Sequence, residues 1–241
     1  MNRQFWWCVV LTIAVCANNA QAQTPTDDAV YQEGLTLLQQ FDNNTSSLRG
    51  SFVQTVRRAD AQTETSNGTF MVERPGKFVW TYETPDEQII VADGTNLWNY
   101  DVLLDQVEVR AQDEALANSP ATILSGGGDP LSAFEYQGSF ASGDTLWVQL
   151  AAKAEDSDFG ALRLGFVDSV LVGMLLGDSL DQVTEIVFSD VESNIAFEPD
   201  AFEFTPPAGV DVYGTPAGST DATGDARESE QEPIPVIEGF G

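Results

Sequence analysis

The apolar positions of this chain change their period once, near residue 48. Before that point Val30, Leu37, Leu38 and Phe41 return at helical spacing behind Asp27 and Asp28, either of which can cap a helix. The spacing predicts an amphipathic helix over 28–41, ended by the polar run 42–47. From Leu48 onward the pattern reads as strands rich in β-branched and aromatic residues, at 52–56, 68–72 and 77–82. Asn67-Gly68 and Asp93-Gly94 are dipeptides that reverse hairpins, the second between predicted strands at 88–92 and 96–100. Residues 106–110 alternate polar side chains with valine. Within 77–82 a period of two sends Phe78, Trp80 and Tyr82 to one face and Lys77, Val79 and Thr81 to the other.

A second helical region is expected over 112–124, where Ala115, Leu116, Ile123 and Leu124 are interrupted by Pro120 and followed by Gly126-Gly127-Gly128. Further strands are predicted at 145–150, 161–167, 170–176, 182–189 and 195–197. Phe202-Glu203-Phe204 then leads into Pro206-Pro207. The pattern is a long antiparallel meander with helical interruptions, a β-dominated α+β fold. From Gly214 the chain turns to small, acidic and proline residues, so 214–241 is expected to be a disordered acidic tail.

The first residues belong to targeting rather than fold. Arg3 supplies a positive start, 5–17 is apolar but short, and Ala20-Gln21-Ala22 is a small-x-small cleavage site. A cleaved signal over 1–22 therefore precedes a single domain over 23–213. A lipidated Cys16 is the competing reading, weakened by Val15 where a small residue is required. Cys8 and Cys16 both lie inside the signal, so the exported chain is expected to have no disulfide and no thiol nucleophile.

Charge and composition narrow the function. The chain has no histidine, which removes the commonest general base and transition-metal ligand. A formal charge of −28 argues against a nucleic-acid partner, because phosphate contacts need clustered Lys and Arg. The three glycines at 126–128 lack the Lys-Ser/Thr of a phosphate loop, and the acidic turns lack calcium-loop spacing. No catalytic residue, metal site or cofactor is expected.

Several motifs now combine: GTFMVERPGKFVW at 68–80, PDEQ at 85–88, IIVADGTNLWNYD at 89–101, QV at 106–107 and AFEFTPPAGVDV at 201–212. In this order and spacing the chain resembles the LolA-type periplasmic carriers of outer-membrane lipoproteins, over about residues 27–213. The resemblance implies an incomplete, half-open antiparallel β-barrel with a helical lid over a hydrophobic cavity. The helix at 28–41 and the segment 112–124 would be lid elements. It also implies a periplasmic, monomeric chaperone whose partners are acylated lipoproteins, an inner-membrane lipoprotein-releasing ABC transporter and an outer-membrane acceptor. Such a carrier has a physical reason to exist, because each exposed methylene costs about 0.8 kcal/mol in water.

By the same resemblance Arg74, followed by Pro75, is a lid latch whose guanidinium holds lid carbonyls in the empty state. Its planar fork of donors suits that task, although an ordinary strand-end ion pair uses the same residue. Phe78 matches an aromatic cavity position, and Trp80, Met71 and Leu48 are the other candidates for acyl-chain contact. Core packing is the plainer reading of each, and Trp80 with Trp98 and Tyr100 suits a framework role. Leu171, Met174 and Leu176 also qualify as lining. Three other functions stay open. They are a membrane-anchored acceptor of similar fold, which would need Cys16 lipidated, a carboxylate-dependent hydrolase, and a stress sensor using the same half-barrel.

Overall fold

A computed structural model describes residues 27–60, 62–113, 124–126, 130–154, 159–178 and 182–217. The expected signal, most of 112–124, Gly127 and Gly128, and the tail beyond 217 lie outside the described residues. The chain opens with helix α1 (Asp27–Asn44). Six strands follow: β1 (Ser47–Arg57), β2 (Thr63–Glu73), β3 (Lys77–Thr84), β4 (Gln88–Ala92), β5 (Asn96–Asp101) and β6 (Gln106–Ala111). A short helix, α2 (Pro130–Ala133), precedes β7 (Phe134–Ser142), β8 (Thr145–Ala152), β9 (Phe159–Val167), β10 (Val170–Asp178) and β11 (Val183–Ser193). The last strand is β12 (Asp211–Gly214).

All twelve strands form one sheet in the order β12-β6-β5-β4-β3-β2-β1-β11-β10-β9-β8-β7. Two meanders, β1–β6 and β7–β11, join where β1 pairs antiparallel with β11. The terminal strands β7 and β12 do not pair with each other, so the curved sheet stays open. Among the described strands only β12 runs parallel to its neighbour, with Val212 opposite Val107.

Alternation along the strands sorts the apolar residues into two clusters on opposite faces. The larger gathers Phe52, Phe70, Phe78, Leu164, Phe166 and Phe188 around Leu37, Leu38 and Phe41 of α1. The smaller holds Val91, Trp98, Val107 and Val109 on the other face of β4–β6. The stretch after β11 covers it, with Phe204 5.5 Å from Trp98 and 6.2 Å from Tyr100 between ring centroids.

Three predicted details change. Asn67-Gly68 is not a turn but lies inside β2, and the pairing of β2 with β3 shifts register there. A Cβ on Gly68 would stand 1.8 Å from the Thr81 carbonyl oxygen, so glycine is needed for close strand approach and not for reversal. Residues 195–197 are not a strand. Asn194 takes a φ of 57°, and its amide is spent on the α1–β1 junction, accepting from Ser46 N at 2.8 Å and donating to the Asn44 carbonyl at 2.9 Å. Finally, α1 runs to Asn44, a turn beyond its last apolar residue.

Candidate functional site

The concave face is a continuous aromatic and aliphatic surface. Phe78 is buried between Val72 on β2 and Ala92 on β4. Beside it Trp80 packs 4.6 Å from Phe52 and 5.3 Å from Phe70, while Phe70 and Phe188 lie 5.1 Å apart. Leu48, on β1, is buried in the same cluster, as are Leu171, Met174 and Leu176. Met71 is not on this face. It alternates with Phe70 and Val72 and sits opposite Val79, which packs with the outer cluster. Of the expected lining residues, the structure brings together Phe78, Trp80 and Leu48 and separates Met71.

Helix α1 packs on the β7–β8 side of this surface. Its Leu37, Leu38 and Phe41 bury against the sheet, and Phe41 meets Phe166 edge-on at 5.4 Å. The other end is tied to β7, where the Tyr136 hydroxyl donates to the Tyr31 carbonyl at 2.7 Å and Ser139 Oγ donates to the Val30 carbonyl. Full burial of large apolar side chains is worth roughly 1.5–3 kcal/mol each. Lifting three such residues therefore costs about 5–9 kcal/mol, which burying some six to eleven methylenes would offset.

Arg74 fastens the same lid. Its side chain is only 8 % exposed. Nε donates to the Leu124 carbonyl at 2.9 Å and Nη1 donates to the Asp42 carbonyl at 3.0 Å, with the Asp42 carboxylate at 3.2 Å. Burial lowers the guanidinium pKa, and the Asp42 charge opposes that shift. One side chain thus joins the end of α1 to the 124–126 segment across the β2–β3 turn. The backbone reinforces the joint, since Gly76 N–H donates to the Ser125 carbonyl at 2.8 Å and to Gly126 at 3.1 Å. Gln112 adds a clamp, donating to the Gly76 carbonyl at 2.6 Å and accepting from Gly94 N at 2.9 Å. Asp42, Gly126 and Gln112 escaped sequence reasoning because their partners are distant in the chain.

A groove of about 660 Å³ runs between α1 and the β7–β8 and β9–β10 turns. Leu37, Leu146 and Phe166 form its floor, and Gln32, Glu33 and Asp168 are among its polar rim. It does not reach Phe78. Buried polar side chains among the described residues are Ser47, Asn96, Gln112 and Ser125, none of them a carboxylate.

An open curved sheet whose apolar concavity is shut by a fastened helix defines a container for apolar ligands. The family profile of outer membrane lipoprotein carrier protein LolA matches residues 43–205. An outer-membrane lipoprotein carrier protein of Nitrosomonas europaea is 42 % identical over 177 residues, 73 % of this chain and 86 % of that one. One from Neisseria gonorrhoeae is 38 % identical over 209 residues, 87 % of this chain and 95 % of its own. A crystal structure of a LolA superfamily protein from Nitrosomonas europaea overlaps 72 % of this chain and 97 % of its own, at 11 % identity and a TM-score of 0.44. The chain belongs to the LolA family of outer-membrane lipoprotein carriers.

Proposed function

We propose that this protein is a non-enzymatic periplasmic chaperone that takes lipoproteins released from the inner membrane and hands them to an outer-membrane acceptor. The observation that carries the reading is the fastened lid. The apolar cluster holding Phe78, Trp80 and Leu48 also takes in Leu37, Leu38 and Phe41 of α1, and Arg74 holds the carbonyls of Asp42 at the end of α1 and of Leu124 beyond it. Hydrogen bonds to carbonyls can be broken and remade without chemistry, so acyl chains can displace α1 and be displaced by it in turn. In this reading Phe78, Trp80 and Leu48 contact the acyl chains, Arg74 is the latch, and Met71 has no part in the site.

A hydrolase would need inward carboxylates in a polar cleft, and the concave cluster is aromatic and aliphatic instead. The membrane-anchored acceptor is separated from the soluble carrier by the mature N-terminus, Gln23 against an acylated Cys16, which intact-mass measurement distinguishes. The direct test is purification from a periplasmic fraction followed by native mass spectrometry. A one-to-one complex with acylated polypeptide is expected. A folded protein that never carries acylated cargo, even when cargo is supplied in detergent and diluted, overturns the proposal.

A further inference from the structure

The two most exposed large apolar side chains among the described residues are neighbours. Leu103 is 73 % and Leu104 59 % exposed, at the tip of the turn joining β5 to β6. Scattered surface leucines are ordinary and need no explanation. This pair differs because the backbone beneath it is pinned on three sides. Leu104 N–H donates to the Asp101 carboxylate at 2.9 Å, Val102 N–H donates to the Glu87 carbonyl at 3.2 Å, and Asp211 N–H of β12 donates to the Asp105 carbonyl at 3.0 Å. A turn so fixed loses little freedom when its tip is buried by a partner.

We propose that the Leu103–Leu104 tip docks the empty carrier on the periplasmic face of the complex that loads it, entering an apolar pocket with a basic rim. The rim follows from charge. Asp86, Glu87, Asp101, Asp105 and Asp211 lie on the tip or the segments bonded to it, and none forms an ion pair among the described residues. A complementary surface must therefore supply cations around the apolar contact. The same acids, on a chain of net charge −28, are repelled by an anionic leaflet, which disfavours a bilayer as the occupant.

The tip is exposed in the state in which Arg74 is bonded to the Asp42 and Leu124 carbonyls, which in the carrier reading is the empty state that meets the loading complex. Position agrees. The six residues of β5 separate the tip from the Asp93–Asn96 turn, which lies beside the latch, by roughly 20 Å. A partner can grip this end and leave α1 free to lift.

The inference rests on the carrier reading, so the assay must separate the two. Inner-membrane vesicles bearing the releasing transporter and a labelled lipoprotein would be mixed with the mature protein. Delivery would be followed separately, from carrier preloaded by detergent dilution to purified acceptor. Leu103→Ser/Leu104→Ser should load roughly ten- to thirtyfold more slowly, as removal of a central apolar anchor does. Its thermal melt and its delivery rate should match the unaltered protein. Asp101→Asn/Asp105→Asn keeps the turn's oxygen acceptor and should flatten the decline of loading with added salt. Unchanged loading, or equal loss of loading and delivery, overturns the proposal. So does Leu-dependent flotation with protein-free phosphatidylcholine–phosphatidylglycerol vesicles, which would assign the tip to the bilayer. Failure of the unaltered protein to take up lipoprotein would instead refute the carrier reading itself.

Discussion

The guanidinium of Arg74 lies over the ring of Phe41, 4.8 Å from its centroid. The residue that holds the carbonyls of Asp42 and Leu124 therefore also rests on the last apolar side chain of α1. Polar fastening and apolar closure meet at one point, and lifting α1 must break both together.

Arg74→Leu should consequently shift the balance between the closed and loaded states. Charge-assisted hydrogen bonds contribute roughly 1.5–3 kcal/mol each, so losing one changes that balance about tenfold or more. The variant is expected to fold and to accept lipoprotein, yet to release it poorly to an acceptor. Lysine keeps the charge without the planar fork and should restore only part of the release. Loading and delivery measured separately decide the point, because equal loss of both would make Arg74 purely structural.

Phe78→Glu tests the concave face. Phe78 is 7 % exposed, in register with Val72 and Ala92, so a carboxylate there is desolvated. Cargo binding should fall sharply while far-UV circular dichroism still reports the sheet. Met71→Glu, on the opposite face, should leave cargo binding intact. Equal effects at both positions would remove the concave face from the site.

These residues also show what the sequence makes legible. Phe78, Trp80 and Tyr82 share a face because alternation is local and needs no knowledge of the rest of the fold. Which face turns inward is a tertiary fact, so alternation alone does not tell whether Met71 or its neighbours Phe70 and Val72 line the concave side. Arg74 stood out through its family motif, but its partners lie 32 and 50 residues away. Strand β7 is hidden in the pattern, since Gly138 at φ 137° and a register shift after Tyr136 break its alternation. The parallel pairing of β12 with β6 likewise has no local signature.

Acid should probe the Asp93 turn. Its Oδ1 accepts from Thr95 N at 2.8 Å and Asn96 N at 2.7 Å, and Oδ2 accepts from Trp98 Nε1 at 2.7 Å. Burial opposes ionisation, but the bonds from Asn96, Trp98 and Thr95 outweigh it and hold the carboxyl below its ordinary range. A depressed folded pKa stabilises above the unfolded value near 3.9, and that stability is lost as pH falls through the folded one. Asp93→Asn should therefore destabilise at pH 7, by roughly 1–3 kcal/mol. The gap in urea midpoint should narrow below about pH 4. A gap of constant size across that range would show that the charge contributes nothing.

Gly126 offers a way to disturb the proposed latch without touching Arg74. It sits at φ 57°, and a Cβ there would stand 2.7 Å from Arg74 Cδ and 2.9 Å from its Nε. Alanine must push the guanidinium off the Leu124 carbonyl or shift the segment that Gly76 N–H holds. It also carries the left-handed backbone cost, about 1–2 kcal/mol, which would confuse the result if measured alone. Gly209 supplies the control, because it has φ 92° and nothing within 4 Å of its added Cβ. Both alanine variants should lose some thermal stability. Only Gly126→Ala should slow delivery of lipoprotein to the acceptor, less severely than Arg74→Leu, and in the double variant it should add little further. Slowed delivery in Gly209→Ala as well would trace the defect to general destabilisation, whereas full additivity with Arg74→Leu would place Gly126 outside the latch.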